Sequence, residues 1–213
     1  MHSTANSAVD DTEIHALGHV NPKCFTWTGP DPAHHFSTAI VPVAFTFLAQ
    51  HMANWTALQY LHLTNVAFPL PLLPSPSDTG PVQAPLFPAL PNLITVYVGQ
   101  ATMLPLRPLA AFVLSRAAPA LQSVRLVDCY IESIWGARVR RRDVEQAAVA
   151  LVQSSGSRSA LGDYMRLRAP DVDADSPAWM GAAVDRIRSV VRCEALTERI
   201  IGGDRVEGSA VLD

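Results

Sequence analysis

The chain has 213 residues, of which 49% are hydrophobic and 16% are charged, so it can bury a sizeable core and is not a disordered chain. Its 16 Lys and Arg residues against 19 Asp and Glu residues give a net charge of -3, which argues against nucleic acid as a partner. The three cysteines, Cys24, Cys129 and Cys193, are too few and too far apart for a disulfide framework, and no two of them form a CxxC pair. This pattern favours reduced thiols in an intracellular protein.

The first segment, residues 1–22, has few apolar side chains and no sustained period, so we expect a mobile lead-in. It is polar and acidic where a signal peptide is basic and then apolar. The most apolar stretch, residues 39–49, is shorter than the roughly 20 residues that a membrane span needs. We therefore expect an intracellular protein, cytoplasmic or nuclear, that does not have a membrane as its partner.

Two ordered elements are predicted before residue 55. In "CFTWTG", Phe25 and Trp27 alternate with threonines, which predicts a strand. Across residues 37–54, apolar side chains recur at helical spacing, which predicts a helix with Pro42 in its first turn.

A short apolar pattern, LxxLxL, then occurs three times. Its copies begin at Leu58, Leu93 and Leu121, a spacing typical of units that each contain one strand and one return segment. Between the second and third copies, residues 105–118 have the apolar period of a helix. Between the first and second copies, the proline-rich insertion 69–91 excludes a regular helix and predicts a surface loop.

Two further helices are predicted after the third copy. The first covers residues 143–153, and the second begins at Pro177 after the N-cap Ser176, with an apolar face that runs to Val191. These elements divide the chain into the lead-in, an α/β region at residues 23–153 and a C-terminal helical cap and tail at residues 154–213.

With its three LxxLxL copies, the region 25–152 resembles the leucine-rich repeat family, in the irregular form found in fungal, basidiomycete-type F-box-like proteins, although no F-box is visible. The resemblance implies an α/β fold: a short irregular arc with a mainly parallel sheet backed by helices. The family pattern also asks for Asn or Cys three residues after the last leucine. Only Cys129 meets this requirement, since the other copies have Val66 and Ala101 there.

The polar residues between the leucines are the predicted binding surface. Stacked units share one core, so side chains that alternate with the leucines project from the other face of the sheet. We expect a protein partner there, and the resemblance implies substrate recognition for an F-box-like ubiquitin-ligase adaptor. The predicted binding residues are Gln59, His62, Thr95, Tyr97, Ser123 and Arg125.

A basic cluster precedes the helix at residues 143–153. It is a second candidate contact, for an anion or an acidic partner, although a solvated loop is the commoner meaning of such a cluster. Nearby, Glu132 and Trp135 are candidates for a hydrogen-bonding partner and its buried anchor. The cluster consists of Arg138, Arg140, Arg141 and Arg142.

No metal or cofactor is expected. His15 and His19 stand four apart, as zinc ligands on a helix do, but Gly18 weakens a helix and no glutamate follows His15. The alternating aspartates at 171–175 lack the glycine and the closing glutamate of a calcium loop.

An enzyme is the less favoured interpretation, because the sequence contains no nucleophile elbow, glycine-rich phosphate loop or HExxH motif. No catalytic residue is therefore assigned. The alternative function is a small α/β enzyme of unknown reaction, with catalytic groups such as Asp128, Glu132 and His62 on loops at the strand ends.

Overall fold

The computed structural model of the protein describes residues 17–29, 42–69, 85–154, 177–196 and 210–213. Most of the predicted lead-in, residues 70–84 of the proline-rich insertion, His15 and the aspartates at 171–175 lie outside these ranges.

Six strands form one sheet in the described part of the chain, and they are ordered in the sheet as they are in the sequence. The first five run parallel, and the sixth pairs antiparallel with the fifth. Parallel neighbours need a crossover between them, so before each of the second to fifth strands the chain returns to the end of the sheet at which the previous strand began. The strands are β1 (Cys24–Thr28), β2 (Tyr60–Thr64), β3 (Thr95–Gly99), β4 (Ser123–Val127), β5 (Val191–Ala195) and β6 (Ala210–Val211).

Four helices lie within the same ranges: α1 (Pro42–Met52), α2 (Leu106–Leu114), α3 (Arg141–Ser154) and α4 (Pro177–Val190). The last three contact one another, and α3 and α4 also contact the sheet. The predicted α/β class, with a mainly parallel sheet and accompanying helices, is confirmed. None of the helices in the described ranges is long and apolar enough to cross a membrane.

The three LxxLxL copies occupy equivalent positions in the sheet. Their first leucines, Leu58, Leu93 and Leu121, are all buried two residues before the paired strands begin. The remaining apolar residues alternate along each strand and enter one continuous core. They form two rows of register partners: Leu61, Val96 and Val124, and Leu63, Val98 and Leu126.

The residue after each of three parallel strands has a left-handed backbone. Asn65, Gln100 and Asp128 have φ angles of 57°, 49° and 50°. Each of their amides donates to a carbonyl at the end of the neighbouring strand, at 2.8 to 2.9 Å. Asn and Asp tolerate this conformation better than most residues, so two of the three turns have a suitable side chain.

The next position along each copy is buried and holds Val66, Ala101 or Cys129. The thiol of Cys129 donates to the carbonyl of Val98 at 3.3 Å. In the first copy Asn65 has a comparable role one residue earlier, because its amide group donates to the carbonyl of Gly29 at 3.3 Å. The side chain of Asn65 thereby satisfies the interior carbonyl of Gly29. Val66, at the position where the pattern asks for Asn or Cys, has no polar side-chain group that could do so.

The sheet continues beyond residue 153, where the α/β region was predicted to end. Val191, predicted on the face of the last helix, instead begins β5. Three residues before Val191, where the first leucine of the pattern would stand, the chain has Arg188 in α4, so this strand lacks that leucine. Pairing with β4 outweighs the helical period here, because it satisfies backbone groups that would otherwise remain at the edge of the sheet.

The described end of the proline-rich insertion also differs from a surface loop. Leu86, Phe87 and Leu90 are buried, and the ring of Phe87 packs edge-on against Phe112, with centroids 5.1 Å apart. Prolines exclude a helix from this segment but not burial, because its apolar side chains still cover the neighbouring helix.

Candidate functional site

The outward side of the sheet, here called the strand face, carries one row of polar and aromatic side chains across five strands. Successive side chains on a strand point to opposite sides, so the residues between the buried leucines point outward. The predicted binding residues His62, Tyr97 and Arg125 are register partners in this row. The central row consists of Thr26, His62, Tyr97, Arg125 and Arg192.

Tyr97 lies between two side chains of the central row. Its ring stacks on that of His62, with centroids 4.1 Å apart and planes at 23°. The guanidinium carbon of Arg125 lies 5.7 Å from the centroid of the same ring. A Cβ at Gly99 would lie 2.8 Å from Cε1 of Tyr97, so the missing side chain leaves room for the ring. Partial burial of Tyr97 raises the pKa of its hydroxyl.

Glu194 holds two arginines of the central row. Its Oε2 accepts hydrogen bonds from Nε and Nη2 of Arg125, at 3.1 and 2.6 Å. Its Oε1 lies 2.5 Å from Nε of Arg192. The Glu194 side chain is only 8% exposed, whereas those of Arg125 and Arg192 are 45% and 64% exposed. Hydrogen bonding to Arg125 lowers the pKa of Glu194 and raises that of Arg125, so both stay charged at neutral pH.

A depression of about 510 Å³ adjoins the central row where β4 and β5 begin, and we call it the β4–β5 depression. Arg141, Arg188, Arg192 and Asp213 are among its lining residues. Glu145 holds two of these arginines, since Nε of Arg188 and Nε of Arg141 lie 3.0 and 3.5 Å from its Oε1. Nη2 of Arg141 also contacts Oδ1 of Asp213, at 2.8 Å.

Three other predicted binding residues lie at the start of the strands. Thr95 is the register partner of Ser123 on one side and of Tyr60 on the other, and Tyr60 is an exposed residue that was not predicted. Gln59 precedes β2, and its carbonyl accepts the amides of Ile94 and Thr95. Side chains alternate between the two sides of a strand, so the residue just before the buried Leu61 must point outward. This rule could have identified Tyr60.

Arg192 and Glu194 were missed for a different reason. Their outward position depends on β5, whose first residue, Val191, was predicted on the face of a helix. The contact of Glu194 with Arg125 joins residues 69 positions apart, a separation that no local pattern reports.

The predicted basic cluster is not one surface. Arg138 is buried, and its Nε lies 3.3 Å from Oδ1 of the buried Asp128, which differs from the solvated loop expected there. The amide of Arg140 donates to Oδ2 of Asp143 at 2.8 Å, where α3 begins. Arg141 lines the β4–β5 depression, and Arg142 is exposed on α3.

The predicted anchor near this cluster is wrong, because Trp135 and Glu132 are both exposed. The groups of the alternative enzyme also do not converge. Asp128 lies in the interior beyond the end of β4, whereas His62 lies in the middle of β2 and its Nε2 is 3.0 Å from Oγ1 of Thr64. Strands β2 and β4 are separated by β3, a spacing of about 10 Å.

No group of three or more His, Cys, Asp and Glu side chains in the described ranges has the geometry to hold a metal ion. Comparison of the chain with protein-family models, curated proteins and solved structures found no match. The chemistry of the strand face is therefore the basis of the functional argument.

Proposed function

We propose that the protein is a protein–protein interaction module that binds its partner through the strand face. The observation that carries this proposal is the central row, in which His62, Tyr97 and Arg125 are exposed or half-buried and held by contacts with one another. Aromatic and arginine side chains dominate the energetics of protein interfaces. Side chains that are already ordered lose less conformational entropy when a partner binds.

The part of the strand face formed by β2 to β5 is better suited to a macromolecular partner than to the substrate of an enzyme. An enzyme site brings convergent polar groups together in a concave pocket. The catalytic groups of the alternative function are spread over separate strands, and one of them, Asp128, is paired with Arg138 in the interior. A row of side chains across several neighbouring strands instead suits an extended partner surface.

A more specific form of the proposal is substrate recognition for an F-box-like ubiquitin-ligase adaptor in the cytoplasm or nucleus. It is supported by the three LxxLxL copies in register and by the parallel strands in chain order, which agree with a leucine-rich repeat arrangement. This form requires a ligase component that binds the chain away from the strand face, because the strand face itself contacts the substrate.

Site-specific photo-crosslinking in cell extract tests the proposal. A photoreactive amino acid replaces Tyr60 on the strand face, and in a matched control it replaces the exposed Gln146 on α3. We expect position 60 to crosslink a defined set of proteins that position 146 does not. Adding His62→Ala, Tyr97→Ala and Arg125→Ala to the first protein should remove that set, with circular dichroism showing that the fold is kept.

Identical crosslinked proteins at both positions, or none at position 60 above background, would contradict the proposal. A ligase component that copurifies with the chain, and that is still recovered with the triple-alanine variant, supports the adaptor role. Absence of such a component leaves the binding function and removes the adaptor role.

A further inference from the structure

The strand face at β4 and β5, together with the adjoining β4–β5 depression, brings four guanidinium groups close together. Two carboxylates, those of Glu194 and Glu145, are each shared between two arginines. Glu194 contacts Arg125 and Arg192, and Glu145 contacts Arg141 and Arg188.

The carboxylates lie beneath the guanidiniums. Glu194 and Glu145 are 8% and 15% exposed, whereas Arg192 and Arg188 are 64% and 57% exposed. Asp213 is an exposed acid at the rim, where it contacts Arg141. A partner therefore meets mainly the cationic side of these pairs, although the chain as a whole has a net charge of -3. The sign of this surface is opposite to that of the protein.

Nε of Arg192 contacts Glu194, and no hydrogen bond or ion pair of its two terminal amino groups with another described residue is found. A carboxylate from outside would accept two parallel hydrogen bonds from such a group. Glu194 already orders the side chain, so little further entropy is lost when that carboxylate binds.

Resting on the proposed function, we propose that the partner presents an extended segment rich in Asp and Glu, which crosses the strand face from Tyr97 to the β4–β5 depression. The carboxylates of this segment bind Arg125 and Arg192, and the segment continues toward Arg188. Charge complementarity selects this occupant over a basic or a purely apolar segment.

The spacing of the strands adds an apolar requirement. Tyr97 and His62 offer ring surface on β3 and β2, whereas Arg192 lies on β5. Two strand spacings separate Tyr97 from Arg192, about 10 Å, which is about three residues of extended chain. We therefore expect an aromatic or aliphatic residue about three positions from an acidic one.

Selection from a displayed library of random peptides, with the full chain as the target, tests this inference. The enriched peptides are then synthesised, and their affinities are measured by fluorescence anisotropy at low and high salt. We expect Asp and Glu to be enriched at the stated spacing from an apolar residue, and we expect binding to weaken as salt rises.

Single variants identify the arginines that matter. Arg125→Gln or Arg192→Gln leaves Glu194 with one guanidinium, so neither variant strands a buried charge. Each should weaken binding of the acidic peptides about tenfold, the usual effect of a charge-assisted hydrogen bond. Arg116→Gln, an exposed arginine on the loop between α2 and β4, is the matched control and should leave the affinity unchanged.

The outcomes separate this inference from the proposed function. Peptides that lose binding to Tyr97→Ala but contain no excess of acidic residues would overturn the inference and leave the binding function in place. Peptides that bind the Tyr97→Ala, Arg125→Gln and Arg192→Gln variants as well as the parent would count against both. Failure to enrich any peptide would also overturn the inference, and the crosslinking from position 60 would still decide the binding function.

Discussion

Nε of Arg138 lies 3.3 Å from Oδ1 of Asp128, and the two side chains are 0% and 4% exposed. The carboxylate of Asp128 also accepts the amide of Leu196 at 3.2 Å. This contact therefore joins the segment before α3, the turn after β4 and the end of β5 in the interior.

Removing one partner of this pair is expected to destabilise the fold. Arg138→Ala removes a cation 3.3 Å from the buried carboxylate of Asp128, which should cost about 3 to 5 kcal/mol in free energy of unfolding. Arg142→Ala removes an exposed arginine from the same cluster and should change stability by less than about 0.5 kcal/mol. Urea denaturation of both variants measures the difference, and equal stability would show that the pair does not hold these segments together.

The turn after β1 requires glycine. A Cβ at Gly29 would lie 2.1 Å from the carbonyl oxygen of Asn65, which is backbone and cannot move independently of the sheet. Gly29→Ala should therefore destabilise the protein by about 1 to 3 kcal/mol. Gly181→Ala is the matched control, because a Cβ there meets nothing within 4 Å and alanine at this exposed position stabilises α4 by up to about 1 kcal/mol. Thermal unfolding should move in opposite directions for the two variants, and a shift in the same direction would refute the steric argument.

The buried leucines and the central row should differ in their effects on stability. Leu61 is 1% exposed, so Leu61→Ala removes core contacts and should cost about 2 to 5 kcal/mol. The variant with His62→Ala, Tyr97→Ala and Arg125→Ala changes the outward side of the sheet and should cost clearly less. Denaturant unfolding compares the two, and equal losses would contradict the division into a binding face and a core.

Glu194 should make stability depend on pH in the acidic range. Its pKa is lower in the folded protein than in the unfolded chain, chiefly because Arg125 donates hydrogen bonds to it. The resulting stabilisation is present in full above the unfolded pKa, about 4.3, and is lost as pH falls through the folded pKa. Between pH 7 and about pH 3, the parent should therefore lose more stability than Glu194→Gln, in which this group cannot titrate. Denaturant titrations at both pH values test this, and parallel losses would contradict it.

The three cysteines should react differently with iodoacetamide. Cys24 is exposed on β1, whereas Cys129 and Cys193 are buried. Burial raises the pKa of Cys193 to about 12 and also raises that of Cys129, so neither forms a reactive thiolate at about pH 8. Intact-mass measurement should find one modified thiol in the folded protein and three after unfolding. Rapid modification of a second thiol under native conditions would show that the core opens locally.

The sequence by itself determined the strands that carry an LxxLxL copy and the direction of their side chains. His62, Tyr97 and Arg125 each follow the first leucine of their copy by the same number of residues, so a shared backbone pattern places them at equivalent positions. Burial of alternating apolar side chains is a local signal, and it was sufficient to predict the α/β class and three members of the central row.

Only the tertiary structure decided which polar residues join these three and which enter the interior. Val191 continues the apolar period of α4 and becomes a strand because β4 lies beside it with backbone groups to pair. That pairing brings Glu194 to Arg125, and the turn after β4 brings Asp128 to Arg138. Hydrogen bonds and ion pairs between distant residues depend on how the units stack, and the spacing of residues along one unit carries no information about that stacking.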